Sequence, residues 1–258
     1  MPPLSISQLE NATGEPRRWP FDPSLHVTLR NSALFRPAAV LWDMDGTLVD
    51  TEPYWIESEF ALADRHGGRW SRDHALNLVG RDLLEAGQYI REHMGIDLTP
   101  QQIVDELLDG VVARVRIDVP WRPGALDLLA KLRDAGVPCA LVTMSYQRFV
   151  APILEHLTPD TFRVVVTGDV LTNGKPHPEP YLTAAAALGV STGDCLAIED
   201  SSTGVTSAET AGCTVLVVPN HVTVAPGPRR IFRNSLVGLG LEELGAMRQP
   251  PVAAAPPL

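Results

Sequence analysis

Carboxylates, a hydroxyl group and a lysine follow four short apolar runs of this sequence. The residues and runs are Asp43 and Asp45 after AAVLW, Thr143 after CALV, Lys175 one loop beyond VVV, and Glu199 and Asp200 at the end of CLAI. Several carboxylates in one cleft repel one another unless a cation neutralises them, and oxygen ligands suit Mg²⁺. A divalent cation beside a lysine forms an electropositive site for phosphate. If the runs are neighbouring strands, the sequence predicts metal-dependent phosphate chemistry.

The runs have the character of buried parallel strands. They occupy residues 38–42, 139–142, 164–166 and 195–198, with a fifth run, VLVV, at 215–218. None alternates cleanly between apolar and polar residues, as expected for strands that are covered on both faces. Helical segments at 146–157, 179–188 and 204–211 separate the last four runs, which predicts a doubly wound α/β sheet. Ligands of such sheets bind at the carboxyl ends of the strands.

A long helical segment separates the first two runs. Ile103, Leu107 and Val111 repeat at helical spacing, and glycines and prolines divide the segment into several helices. We therefore predict an inserted helical domain at 53–120 on an α/β core made of 37–52 and 121–248. Residues 1–36 are interpreted as an N-terminal extension, and the proline-rich residues 249–258 as a disordered tail.

Composition excludes several classes of protein. The 258 residues are 45% hydrophobic and 20% charged, which is enough for a buried core, and the net charge of -10 argues against a nucleic-acid partner. Three widely spaced cysteines indicate neither a disulfide scaffold nor a zinc site. The sequence has no long apolar run and no signal peptide, so we expect a cytoplasmic protein without a membrane partner. Lys131 and Lys175 are its only lysines.

Four motifs resemble those of the haloacid dehalogenase superfamily, and they occur in the family's order. They are DMDGTLVDTE, LVTMS, GKPHPEPY and IEDSSTGVTSAETAG, and the resemblance covers residues 37–220. The helical insertion resembles the α-helical cap of members such as β-phosphoglucomutase and sugar-phosphate phosphatases. The resemblance implies a Rossmann-like α/β core that carries this cap.

The resemblance also implies roles for individual residues. Asp43 would be the nucleophile that forms an aspartyl-phosphate, and Asp45 the general acid and base. The phosphate would contact Thr143, Met144, Ser145 and Lys175. The ligands of Mg²⁺ would be Asp43, Asp200, the backbone carbonyl of Asp45, and Glu199 directly or through water. Purely structural explanations also exist. An aspartate before Gly46 can stabilise a turn, and the Glu199–Asp200 pair, or Ser201 or Ser202, can cap a helix.

Substrate choice is assigned to the cap. Gly80, Arg81 and Asp82 resemble the family's specificity loop, where Arg81 would hold a second anionic group or a sugar hydroxyl. A solvated arginine at a helix start explains Arg81 equally well. Trp55 and Trp70 could line a pocket, but packing between cap and core is the preferred interpretation of each. The basic residues Arg229, Arg230 and Arg233 are interpreted as part of a solvated loop.

The residue at position 45 indicates the reaction. Aspartate there resembles the phosphate-ester branches of the superfamily, whereas the dehalogenase branch has tyrosine and the phosphonate-cleaving branch has alanine. The phosphonate branch also needs a cap lysine, and residues 53–120 contain none. We expect a Mg²⁺-dependent phosphatase that acts on a small phosphorylated metabolite, such as a sugar phosphate, as a monomer or weak homodimer.

Two alternatives remain open at this stage. A phosphomutase of the β-phosphoglucomutase type would use the same residues and pass the phosphoryl group to a sugar hydroxyl instead of water. A non-catalytic phosphate-binding module would be indicated by loss of Asp43, Asp45, Lys175 or Asp200, and the sequence has all four.

Overall fold

Six parallel strands form one sheet in the part of the chain that the computed structural model describes, residues 36–79 and 81–247. The strand order is β3-β2-β1-β4-β5-β6. The strands are β1 Ala39–Trp42, β2 Cys139–Val142, β3 Val164–Val166, β4 Cys195–Glu199, β5 Thr214–Val217 and β6 Arg230–Phe232. The predictions made for residues 1–35, for Gly80 and for 249–258 lie outside the described residues.

Helices cover both faces of this sheet. Alternate residues of β1 divide between two apolar clusters: Val40 and Trp42 pack with Phe149 on one face, while Leu41 packs with Val205 on the other. The helices are α1 Glu52–His66, α2 Arg72–Leu76, α3 Leu83–Met94, α4 Pro100–Val115, α5 Ala125–Asp134, α6 Gln147–Leu154, α7 Glu179–Leu188, α8 Ser202–Ala211 and α9 Leu241–Ala246, with 3-10 turns at Gly168–Val170 and Thr192–Asp194. The predicted doubly wound, Rossmann-like sheet is confirmed.

The strand order brings distant parts of the sequence together. β1 lies between β2 and β4, and the register pairs Trp42 with both Leu141 and Ile198. All three strands run in the same direction, so the residues that follow them emerge at one edge of the sheet.

The helices α1 to α4 form the insertion between β1 and β2. They enclose an apolar cluster that includes Leu62, Ile90 and Ile103. Thr99 begins α4 with a reciprocal capping box, as its position before Pro100 predicts. Where the chain enters and leaves the insertion, Val49 and Trp121 form an antiparallel bridge.

The two tryptophans of the insertion pack differently. Trp55 meets Phe149 of α6 edge-on, with 5.4 Å between ring centroids, so its predicted contact with the core is confirmed. Trp70 instead stacks on His74 at 4.9 Å and donates a hydrogen bond to Glu59. The prediction that Trp70 packs between cap and core is therefore wrong, because its indole joins neighbours within the insertion.

Two helix boundaries differ from the sequence prediction by more than one residue, and Arg230 lies in a different element. α6 ends at Leu154 instead of residue 157, two residues after Pro152, whose missing N–H removes a helical hydrogen bond. α8 begins at Ser202, two residues earlier than predicted, because the Ser201 hydroxyl caps it by accepting from Gly204 N. Arg230 is not in a solvated loop but in β6, where it pairs with Glu209 at 2.6 Å.

The prediction that the cysteines form no disulfide scaffold agrees with the structure. The three cysteines are free and buried. No helix in the described ranges combines the length and apolar character that crossing a membrane requires.

Candidate active site

The Lys175 ammonium lies among three acceptors at the carboxyl edge of the sheet. Its Nζ donates to Asp43 Oδ1 at 2.6 Å, to Glu199 Oε1 at 2.7 Å and to the Val142 carbonyl at 3.0 Å. Only 5% of the lysine side chain is exposed. Each N–H of the ammonium therefore has one acceptor, which fixes both the position and the orientation of the charge.

Three carboxylates form a compact group beside this lysine. Asp43, Glu199 and Asp200 are buried, and each offers one oxygen within 4.8 Å of the other two. The buried Asp43 Oδ2 has no hydrogen-bond partner in the part of the chain that the structure describes. An unpartnered carboxylate oxygen in a group of oxygen ligands fits a divalent cation such as Mg²⁺.

Gly46 makes room for this group. A Cβ atom at position 46 would lie 2.0 Å from Asp200 Oδ2, and the backbone φ of +90° is one that other residues rarely adopt. The turn brings Asp45 and Val49 together in a bridge. Gly46 thus lets the chain leave β1 sharply while Asp200 approaches Asp43.

The Asp45 side chain lies between two hydroxyl groups. Its Oδ1 accepts from Thr51 Oγ1 at 2.6 Å, and its Oδ2 accepts from Ser145 Oγ at 2.7 Å. The buried Thr143 hydroxyl in turn accepts from Ser145 N at 2.9 Å. The structure therefore brings the segment after β2 against the segment after β1, as the parallel sheet predicts.

Met144 and Arg81, two predicted substrate-binding residues, have no hydrogen bond to the acidic residues of the site among the described residues. The Met144 sulfur accepts the backbone N–H of Lys175 at 3.3 Å, so this side chain lies against the loop that carries the lysine. Arg81 Nε donates to the Asn77 carbonyl at 2.7 Å, and its guanidinium lies over the Tyr89 ring at 5.3 Å. The contacts that the structure gives to Arg81 are thus within the insertion.

Burial and charge interactions shift the pKa values of Asp43, Asp200 and Lys175. Burial, followed by repulsion from Glu199, raises the pKa of Asp43 to about 7. Burial, followed by repulsion from Asp43, raises the pKa of Asp200 to about 9. Burial alone would lower the pKa of Lys175, but attraction to Asp43 and Glu199 outweighs it and raises that pKa. Asp43 and Asp200 thus resist ionising together unless further positive charge is present.

Three hydroxyl-bearing residues at this site have no catalytic role predicted from the sequence, although the helix cap predicted for Ser201 or Ser202 is confirmed at Ser201. Thr51 contacts Asp45, while Tyr181 and Ser201 both donate to Glu199, at 2.7 and 3.2 Å. All three lie inside or directly beside the quoted motifs. Their positions in the motifs indicate that they lie near the site. The partners of their hydroxyl groups depend on the tertiary fold and do not follow from the sequence.

Comparison with known proteins agrees with this geometry. The model of the haloacid dehalogenase-like hydrolase family matches residues 40–218. Hexitol phosphatase A of Escherichia coli is 31% identical over 222 residues, covering 81% of this chain and 94% of the relative. Phosphoglycolate phosphatase of Shigella boydii is 33% identical over 197 residues, covering 67% of this chain and 78% of the relative.

A solved structure extends the similarity to the fold. CbbY from Rhodobacter sphaeroides in complex with phosphate has a TM-score of 0.71 and 27% identity, covering 79% of this chain and 96% of its own. The matched family region runs from β1 to the residue after β5. It contains the lysine–carboxylate group, which consists of Lys175, Asp43, Glu199 and Asp200. The chain therefore belongs to the haloacid dehalogenase-like hydrolase family.

Proposed function

We propose that this protein is a Mg²⁺-dependent phosphatase that hydrolyses a small phosphorylated metabolite, in particular a sugar phosphate, through an aspartyl-phosphate at Asp43. Its family and its phosphatase relatives make it a hydrolase of phosphate monoesters. The observation that carries the finer proposal is the placement of Asp43: Lys175 holds one of its oxygens at 2.6 Å, and the other is buried without a partner among the described residues.

The first step would form a bond between Asp43 and phosphorus while the bond to the leaving oxygen breaks. Lys175 orients the nucleophile and, with the Thr143 and Ser145 hydroxyls, would bind the oxygens of the transferred group. Asp45 would protonate the leaving oxygen. Burial raises the pKa of Asp45, which favours the proton-carrying form that this step needs, although the Thr51 and Ser145 hydrogen bonds oppose the shift.

The second step would release phosphate and restore Asp43. Asp45, now ionised, would take a proton from water as that water attacks the phosphorus of the aspartyl-phosphate. The P–O bond to Asp43 then breaks, and its electrons return to the carboxylate. The two hydroxyl groups on Asp45 keep its carboxylate in the orientation that both proton transfers need.

The residues that would hold Mg²⁺ are Asp43, Asp200 and the backbone carbonyl of Asp45. The ion would offset the charge of the carboxylates and of the phosphate oxygens, so that a carboxylate can approach phosphorus. Glu199 would act on the ion through water, because both of its oxygens already accept hydrogen bonds from the protein.

The relatives support the substrate class. Two act on hexitol phosphates or phosphoglycolate by their names, and one CbbY structure holds xylulose 1,5-bisphosphate. We assign substrate selection to the cap at 53–120 and retain Arg81 as a candidate for a second anionic group. We further propose that the protein acts as a monomer or weak homodimer, without a nucleic-acid or membrane partner.

Phosphate release from a substrate panel tests this function. The panel contains hexitol, hexose and pentose phosphates and phosphoglycolate, each with Mg²⁺ or with a chelator. We expect Mg²⁺-dependent release, and a loss on the order of 10³-fold or more in Asp43→Asn, as for removal of a nucleophile. The absence of activity on every ester, or full activity of Asp43→Asn, would contradict the proposal.

A second assay separates hydrolysis from isomerisation. Glucose 1-phosphate is supplied with a trace of glucose bisphosphate, and both glucose 6-phosphate and free phosphate are measured. If glucose 6-phosphate forms faster than free phosphate, the protein is a phosphomutase and the phosphatase proposal is wrong.

A further inference from the structure

Tyr181 lies directly behind the lysine–carboxylate group. It belongs to α7, its side chain is completely buried, and its hydroxyl donates to Glu199 Oε1 at 2.7 Å. The same oxygen accepts from Lys175 Nζ at 2.7 Å, and that nitrogen lies 5.3 Å from the centroid of the tyrosine ring. The tyrosine therefore contacts Glu199 by its hydroxyl and faces the ammonium by its ring.

The other carboxylate oxygen of Glu199 is held from the opposite side. Glu199 Oε2 accepts from Asp200 N at 3.2 Å, from Ser201 N at 3.4 Å and from Ser201 Oγ at 3.2 Å. These donors belong to the turn that leads into α8. With Lys175 and Tyr181 on Oε1, the carboxylate is fixed in one rotation about its last bond, because each oxygen has its own set of donors.

The space around Glu199 leaves no second position for its carboxylate on the α8 side. A Cβ atom at Gly204 would lie 1.8 Å from Glu199 Oε1, so the backbone of α8 closes this side. Tyr181 closes the α7 side, where its hydroxyl would be the first donor lost if the carboxylate turned. Glu199 itself is completely buried, so water does not replace a missing donor without cost.

We propose that Tyr181 is a positioning residue: its hydroxyl fixes the Glu199 carboxylate, and through it holds the Lys175 ammonium against Asp43. The proposal rests on the proposed function for its kinetic consequence. Tyr181 touches neither Asp43 nor the transferred group, so it acts through Glu199 and Lys175. Without the hydroxyl, Glu199 Oε1 keeps Lys175 as its single donor in this network, so the carboxylate is less well fixed as one of the three acceptors of the ammonium.

Tyr181→Phe tests the proposal, because it keeps the buried ring and removes only the hydroxyl. Thr192→Val is the matched control: the Thr192 hydroxyl donates to the Ala211 carbonyl at 2.6 Å, at the opposite end of β4. Both variants lose one short hydrogen bond, so a purely structural effect would appear in both. Thermal unfolding of the two variants shows whether their folds are equally retained.

Lysine NMR gives a readout that depends on neither metal nor turnover. Protein with ¹⁵N-labelled lysine has only two side-chain ammonium groups, Lys131 and Lys175, and Lys131 serves as the internal reference. In the wild-type protein we expect slow solvent exchange at Lys175. In Tyr181→Phe we expect this exchange to be faster by about tenfold, since a buried hydrogen bond opens more often when its network loses a member. Thr192→Val should leave it unchanged.

Kinetics supply the second readout. We expect kcat of Tyr181→Phe to fall by about 10-fold or more, as for other residues that orient a directly acting group, while KM stays within about twofold. An unchanged Lys175 exchange rate, an unchanged kcat, or the same changes in Thr192→Val would overturn the proposal. If the wild-type protein releases no phosphate from any ester, the proposed function fails, while the exchange measurement still decides the role of Tyr181.

Discussion

The Lys175 ammonium lies 2.6 Å from one oxygen of the Asp43 carboxylate, and the other oxygen of that carboxylate is buried without a hydrogen-bond partner in the described ranges. The two residues are 132 positions apart in sequence. The lysine thus neutralises and orients Asp43 from one side only. Asp43 Oδ2 is therefore available to bind a partner from outside the described chain, such as a metal ion or phosphorus.

Replacing Lys175 by arginine should reduce turnover although the charge is kept. Three acceptors at 2.6–3.0 Å surround a compact ammonium, and the larger planar guanidinium cannot occupy that place without moving them. We expect kcat to fall by about 100-fold or more, as for loss of an aligned charge stabiliser.

Lys131→Arg is the control for this change. Lys131 lies on α5, where it pairs with Asp127 and its side chain is 42% exposed. We expect its kinetics to match those of the wild-type protein. Near-normal turnover of Lys175→Arg would contradict the proposed role of Lys175 in orienting Asp43 and binding phosphate.

Two glycine variants separate backbone strain from displacement of Asp200. Gly46 and Gly189 both have left-handed φ values, +90° and +71°. A Cβ atom collides with Asp200 at the first and meets no atom of the described residues within 4 Å at the second. Gly189→Ala should cost about 1–2 kcal/mol of stability through the backbone alone. Gly46→Ala should cost about 1–3 kcal/mol more through overpacking.

Only Gly46→Ala should also weaken Mg²⁺ binding, which titration calorimetry measures directly. Equal Mg²⁺ affinities of the two variants would show that Asp200 is not held in place by the space at Gly46.

Glu59 should make stability depend on pH. It is buried in the insertion and accepts a hydrogen bond from Trp70, and burial raises its pKa from 4.5 to about 7. Between these values the folded protein keeps a proton that the unfolded chain has lost, so the free energy of unfolding falls as pH rises through this window. Glu59→Gln lacks this dependence.

We therefore expect Glu59→Gln to gain stability over the wild-type protein as pH rises, by up to about 3 kcal/mol at pH 8, from about 1.36 kcal/mol per pKa unit. Urea unfolding of both proteins at pH 4.5 and pH 8 measures the difference. The same stability gap at both pH values would place the titration of Glu59 outside this range.

The pair formed by Arg230 and Glu209 should couple β6 to α8. Both side chains are 15% exposed, and Glu209 Oε1 lacks a partner among the described residues, so loss of Arg230 leaves the whole carboxylate unpaired. We expect Arg230→Met to cost about 1–3 kcal/mol. In a double-mutant cycle with Glu209→Leu, the double variant should lose less than the sum of the single variants. Additive losses would mean that the two residues act independently.

Much of the core could be predicted from the sequence because its strands are buried on both faces. The runs at 139–142 and 164–166 coincide with β2 and β3 to the residue. β6 was missed because it has only three residues and begins with an arginine, whose charge indicates solvent. In the folded protein Arg230 pairs with Glu209, a contact that the local sequence does not indicate.

The site was predictable to the same extent as the sheet. Asp43, Lys175, Glu199 and Asp200 follow strands that must end at one edge, so their approach follows from topology. The donors on Glu199 and Asp45 did not follow, because a hydroxyl group is compatible with many partners until α7 and α8 are packed. The catalytic, phosphate-binding and metal-binding roles implied for these residues stay predictions, as do those implied for Met144 and Arg81.

The bridge between Val49 and Trp121 gives the helical insertion a modular character. The chain leaves the core and returns to it at adjacent points, where Asp50 N donates to the Pro120 carbonyl at 2.8 Å and Arg122 N to the Leu48 carbonyl at 2.9 Å. An exchanged insertion has to match one short gap, the contact of Trp55 with Phe149, and the packing of α4 residues such as Leu108 and Val111 against the core. Residues of the insertion can therefore change in evolution without altering the carboxylates and the lysine, which lie outside it.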